Sequence, residues 1–178
     1  MVAEGARSLA LVGLSGTGKS TMGRVLSSAL GWPLLDTDAL IVGAQGRPVA
    51  AIFADLGESH FRDLESAALN TALANPPAVV ATGGGIILRP ENRTLLRQRA
   101  TVIWLDAPDA VILARLAAHD EGRPLLAAAP AARLATLRAA RAELYRAVAD
   151  SVLDTSDLSP QELVDRVLRE LHLISETQ

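Results

Sequence analysis

No cysteine occurs among the 178 residues. This excludes thiolate zinc sites, iron–sulfur clusters, CxxC redox chemistry and cysteine nucleophiles, and with them a disulfide-stapled secreted module. Lysine is almost missing: of the 17 basic residues 16 are arginine, and Lys19 alone is lysine. Such avoidance reflects base composition, so a lysine kept at one place calls for a chemical reason. Long apolar runs are absent as well. The run at residues 9–14 falls far short of the ~20 residues of a membrane span. The short, mixed stretch before it has no cleavage-site pattern, so the expectation is a cytoplasmic protein without a membrane partner. A net charge of −3 and a pI near 5.6 leave no broad positive surface for nucleic acid. Any phosphate binding must therefore be local.

What is present is 49% apolar side chains in a chain of single-domain length. At this size one core buries about 70% of the surface that the unfolded chain exposes, so residues 1–178 are expected to form one domain and, by default, a monomer. Short apolar runs at 9–12, 34–35, 78–81, 101–105 and 152–153 are continuous, not alternating, which suits strands covered on both faces in a parallel sheet. Helix-period segments at 20–30, 60–73, 91–99, 109–118, 131–149 and 160–173 lie between them. Gly31 suits a helix stop, and Ser159-Pro160 reads as an N-cap followed by proline in the first turn. The alternation predicts an α/β domain with right-handed crossovers, whose ligands gather beyond the carboxyl ends of the strands, just after Val12, Leu35, Ala81 and Leu105.

The lone lysine lies in Gly13-Leu-Ser-Gly-Thr-Gly18-Lys19-Ser20, a complete G-x-x-x-x-G-K-[ST] between a strand and a helix. There the glycines let the backbone fold around an anion, so that N–H groups and the positive helix end point at phosphate oxygens. Lys19 would reach the β and γ phosphates and the Ser20 hydroxyl would ligate Mg²⁺. A carboxylate for the metal is missing after residues 78–81 but present in Leu35-Asp36-Thr37-Asp38. On an extended stretch residues 36 and 38 point the same way, about 7 Å apart. One acid could then serve the metal and the other an acceptor hydroxyl; alternatively, the pair caps a helix beginning near Ala39.

Other motifs are open to two readings. Arg62 and Glu65 are either a solvated i,i+3 bridge or part of a pocket, and Arg141, with Tyr145 one turn on, is either surface or site. Gly83, Gly84 and Gly85 in a row indicate either close approach of a ligand to bare backbone or a tight turn. In Gly122-Arg123-Pro124, proline breaks helix continuity and glycine supplies a pivot, so residues 119–127 are expected to be a mobile lid whose arginine swings onto the transferring phosphoryl group.

Taken in order, the P-loop, Asp36-Thr37-Asp38, Phe61-Arg62-x-x-Glu65, Gly83-Gly84-Gly85, Arg123-Pro124-Leu125-Leu126, Arg141-x-x-x-Tyr145 and Asp154-Thr155 resemble the shikimate kinase family at matching spacing over nearly the whole chain. The resemblance implies a three-layer α/β/α fold of the nucleoside-monophosphate-kinase type with a five-stranded parallel sheet and a lid. It implies transfer of the ATP γ-phosphoryl group to the 3-hydroxyl of shikimate, in aromatic amino-acid biosynthesis. Carried over, Gly16, Thr17, Gly18, Lys19, Ser20 and Thr21 contact the phosphates, and Ser20 with Asp36, through water, holds Mg²⁺. Asp38 contacts the acceptor hydroxyl and takes its proton; Arg62 and Arg141 bind the shikimate carboxylate in a region spanning 36–65 and Gly83 to Gly85. Arg123 is the lid arginine, and adenine rests between Arg115 and the segment ending at Pro160.

One departure is the acidic stretch His119-Asp120-Glu121-Gly122, where family lids usually carry extra basic residues. Two rivals are a kinase for another acceptor, such as gluconate or a nucleotide, and a non-catalytic effector-sensing domain. The paired arginines fit a carboxylate, and the Asp36-Thr37-Asp38 set is one that a sensor is free to lose. His60, His119 and His172 have no metal spacing; Trp104 reads as core, and Trp32 is expected to report ligand binding by fluorescence.

Overall fold

In the computed structural model, which describes residues 7–118, 129–156 and 159–176, the strands are β1 (Ser8–Val12), β2 (Leu34–Asp36), β3 (Val79–Ala81), β4 (Ala100–Asp106) and β5 (Ser151–Asp154). They form one parallel sheet in the order β2-β3-β1-β4-β5, with Leu9 in register with Val79 on one side and Thr101 on the other. The helices are α1 (Lys19–Leu30), α2 (Thr37–Gln45), α3 (Val49–Ala72), α4 (Pro90–Arg99), α5 (Asp109–Ala118), α6 (Pro130–Arg146) and α7 (Pro160–Glu176), with a 3₁₀ turn at Ile86–Leu88.

Strand periodicity divides the core in two. Ala10, Val12, Val80, Val102 and Trp104 face the layer of α3 to α6, meeting Leu69, Leu96, Ile112, Leu134 and Tyr145. Leu9, Leu11, Val79, Ile103 and Leu105 face α1 and α7, meeting Met22, Leu26, Val164 and Val167. The uninterrupted apolar runs are thus two alternating faces superposed, as the three-layer expectation requires. A smaller cluster of Ile41, Ile52, Phe61 and Ala68 fastens α2 to α3. Among the described residues no single helix is long and apolar enough to cross a membrane.

Helix ends follow the local signals. Gly31 adopts a left-handed conformation and its N–H donates to the Ser27 carbonyl. At α7 the Ser159 N–H donates to Glu162 Oε2 at 2.8 Å while the Glu162 N–H donates to Ser159 Oγ at 3.3 Å, a reciprocal capping box. Three expectations need correction. The predicted helix at 131–149 stops at Arg146, because Asp150 joins the sheet edge: its N–H donates to the Val102 carbonyl and its carboxylate accepts the Val102 N–H. Helix α2, offered only as the alternative helix near Ala39, and the first half of α3 lie outside the helix-period segments. Gly43, Gly46, Pro48 and Gly57 interrupt the helical period there, but Asp36 caps α2 and its Ile41 packs on Ile52. Gly57 does leave its mark: α3 kinks there, where φ is 78°. Finally, residues 36 and 38 do not share an extended stretch, since the strand ends at Asp36 and the helix starts at Thr37.

Candidate active site

The loop between β1 and α1 lies at the carboxyl end of the central strand. Gly13 adopts φ 143°, and a Cβ there would overlap the Leu105 carbonyl oxygen at the end of β4, so both backbone conformation and space demand glycine. Lys19 is buried, and its Nζ donates to the carbonyls of Gly13 and Leu14 at 2.8 Å each. Its ammonium is thus held within the loop that would receive phosphates. The Thr17 hydroxyl donates to the Leu14 carbonyl and is shut away from solvent, leaving this residue only its backbone for a ligand.

Of the readings left open above, Asp36 makes the helix cap and also meets Ser20. Its Oδ1 accepts the N–H groups of Asp38 and Ala39 at 2.9 and 3.2 Å, capping α2. Its Oδ2 accepts the Ser20 hydroxyl at 3.2 Å. A carboxylate and a hydroxyl, both hard oxygen donors, therefore converge beside the phosphate loop, which fits Mg²⁺. Among the described residues no group of three His, Cys, Asp or Glu forms a metal cage.

The glycine run after β3 is explained by close approach. None of Gly83, Gly84 and Gly85 has a positive φ. A Cβ on Gly85 would overlap Arg62 Nη1 and come within 2.6 Å of its Cζ; one on Gly83 would lie 2.8 Å from both Asp38 Oδ1 and Glu65 Oε1. The side chains crowding the bare backbone are the protein's own Asp38, Arg62 and Glu65. Thr37, buried between Asp36 and Asp38, accepts the Gly83 N–H at 2.9 Å and so ties α2 to this run.

Arg62 and Glu65 are no surface bridge. The Glu65 side chain is 2% exposed and that of Arg62 13%. Arg62 donates to Glu65 Oε2 at 2.5 Å and to Glu58 Oε1 at 2.8 Å, and its guanidinium lies 5.6 Å from the Phe61 ring and 5.8 Å from that of Phe53. Its buried Nε has no hydrogen-bond partner among the described residues, which leaves that donor unused. Burial pushes the Glu65 carboxyl above its ordinary range, with Arg62 opposing that shift. Across the cleft on α6, Arg141 Nη1 and the Tyr145 hydroxyl both donate to the Gly84 carbonyl, at 3.1 and 2.6 Å. Tyr145 is pushed up to about 12 by burial and acts as a neutral donor.

On the other flank, Arg115 of α5 donates to the Thr155 hydroxyl and carbonyl at 2.8 and 2.6 Å. Pro160 opens α7 nearby in sequence. Every sequence-predicted site residue except Arg123 lies among the described residues: the phosphate-loop residues, Asp36, Asp38 and Gly83 to Gly85 at strand ends and the segments just after them, Arg62 and Arg141 within α3 and α6, and Arg115 and Pro160 in the last turn of α5 and at the start of α7; Arg123 and the lid at 119–127 lie outside them. Sequence reasoning missed the structural parts of Thr37, Glu58, Phe53 and Thr155. Thr37 and Thr155 stood inside quoted motifs, whereas Glu58 and Phe53 become visible only once α3 is folded around Arg62.

A family model described as shikimate kinase matches residues 15–172. The chain belongs to the shikimate kinase family. It is 45% identical over 93% of its length to a shikimate kinase of Nitrobacter winogradskyi, covering 77% of that protein, and 44% identical over 91% to one of Ralstonia nicotianae, covering 85%. A solved structure of the Acinetobacter baumannii shikimate kinase in complex with shikimate superposes with a TM-score of 0.90 at 36% identity, covering 98% of this chain and 97% of that one. Family membership makes this α/β protein an ATP-dependent kinase of the P-loop class.

Proposed function

We propose that this shikimate kinase family member transfers the γ-phosphoryl group of ATP to the 3-hydroxyl of shikimate, using the residues assembled above. One observation carries the reading. A Cβ on Gly84 would lie 3.5 Å from Gly13 O and Ser15 N of the phosphate loop and 3.7 Å from Arg141 Nη1. A phosphate cradle and a carboxylate-seeking guanidinium thus meet across one glycine, in a single cleft.

In this reading the loop amides from Gly16 to Thr21 hold the phosphates, and Lys19 exchanges its two carbonyl partners for phosphate oxygens. Ser20 and, through water, Asp36 would hold Mg²⁺, which neutralises phosphate charge when bound. Arg62 and Arg141 grip the acid's carboxylate, fixing the ring so that its hydroxyl faces the γ-phosphorus. Asp38, beside Gly83, accepts the hydroxyl proton as the new P–O bond forms and the bond to ADP breaks. Arg115 and Pro160 flank the adenine, and Arg123 is assigned to the transferring phosphoryl group.

The test is ADP release measured with shikimate, with gluconate and without acceptor. Shikimate-dependent ADP formation, abolished in K19M, is the expected outcome. Release with gluconate alone would favour the other-acceptor reading, and shikimate binding without turnover a sensing domain.

A further inference from the structure

Thr155 follows β5 and is buried, at 3% exposure. It joins three elements. Arg115 donates to its hydroxyl and carbonyl, and its own N–H donates to the Asp106 carbonyl at the end of β4, at 2.8 Å. The hydroxyl proton then has two carbonyls within reach, Asp106 O and Thr17 O, each at 3.1 Å. Asp106 O already accepts the Thr155 N–H, so Thr17 O is where this proton adds most, because a buried carbonyl left unpaired is costly. Thr17 belongs to the phosphate loop and is 0% exposed.

A carbonyl held in this way fixes more than itself. The Thr17–Gly18 peptide is trans, so its carbonyl and the Gly18 N–H point in opposite directions. Drawing the carbonyl toward Thr155 turns the Gly18 N–H away from Thr155, at the residue that caps the N-terminus of α1. We propose that Thr155 is a positioning residue for the phosphate cradle: its hydroxyl anchors the Thr17–Gly18 peptide so that the Gly18 N–H is aimed at the β-phosphate of a bound nucleotide. This rests on the phosphate-loop assignment made under the proposed function. It differs from a role in which Thr155 only orients Arg115 toward the base.

The two roles separate in the affinity gained from the β-phosphate. Inhibition constants of ADP and AMP against ATP, with Mg²⁺ present, are compared in the wild type, in T155V, which keeps the shape without the hydroxyl, and in T155S, which keeps the hydroxyl. T155V is expected to weaken ADP about tenfold, the scale of one lost hydrogen bond at a buried carbonyl. AMP should stay within about twofold, since it lacks the β-phosphate that this bond positions. T155S should restore ADP, and shikimate affinity, unchanged throughout, checks the fold. Equal weakening of ADP and AMP would assign the hydroxyl to the base side and overturn the proposal, as would unchanged ADP binding. A wild type that binds ADP no better than AMP would instead remove the phosphate-loop reading beneath it. Should T155V fail to fold, T155A carries the same comparison with less buried bulk.

Discussion

At the scale of single residues, the proposed acceptor site turns on what burial does to charge. Arg62 has its guanidinium between two carboxylates and two aromatic rings, which holds the fork in one orientation without neutralising all of its donors. A lysine in its place would keep the charge and lose the planar fork. R62K is therefore expected to raise KM for shikimate by about tenfold or more while kcat changes by a few-fold at most, because the lost contact is made equally in ground and transition states. D38N should do the opposite. Losing a proton acceptor typically lowers kcat by about 10²–10⁴, with KM little altered. Steady-state kinetics on the two variants checks both halves, and a D38N enzyme of normal kcat would remove Asp38 from the chemistry.

At the scale of elements, α6 connects the site to the core. Tyr145 bonds the Gly84 carbonyl at one end and stacks on Trp104 of β4 at the other, ring centroids 5.6 Å apart. Trp32 precedes β2, at the end of the sheet away from the phosphate loop, where its carbonyl accepts the Ser27 hydroxyl. The fluorescence expectation attached to Trp32 is therefore moved to Trp104. Titration with shikimate should change emission in W32F much as in the parent and leave W104F silent. A signal lost in W32F would contradict the path through Tyr145.

At the scale of the whole molecule, a buried Glu65 makes stability depend on pH. Its folded carboxyl titrates above the ordinary glutamate value of 4.5, burial being the main cause. The folded state thus holds its proton more tightly than the unfolded chain does. Glu65's contribution is full below 4.5 and is lost as pH rises through the raised folded value. The charged groups acting on it are Arg62, Asp38 and Arg141, drawn from α3, α2 and α6. E65Q removes this component while still leaving Arg62 short of a partner. The variant should be less stable than the parent, with a Tm deficit that shrinks as pH rises from about 4.5 toward neutrality. A deficit that grows with pH would show that the Arg62 pair outweighs burial.

Local features decided what could be read along the chain. Five apolar runs, the glycine spacing around Lys19 and the capping signals at Gly31 and Ser159 act through neighbours a few residues away, so they specify the parallel sheet, the phosphate loop and those helix ends by themselves. Helix α2 stood only as one of two readings of Asp36 and Asp38, because the worth of that cap depends on Asp36 standing at a strand end. Whether Arg62–Glu65 lies in water or in a pocket, why Gly85 lacks a side chain, and which peptide Thr155 holds are likewise invisible locally. Each depends on partners far along the chain: Arg62 against Gly85, Thr155 against Thr17. Burial and hydrogen-bond partnership belong to the packed chain, and only the tertiary structure brings those groups within reach of one another.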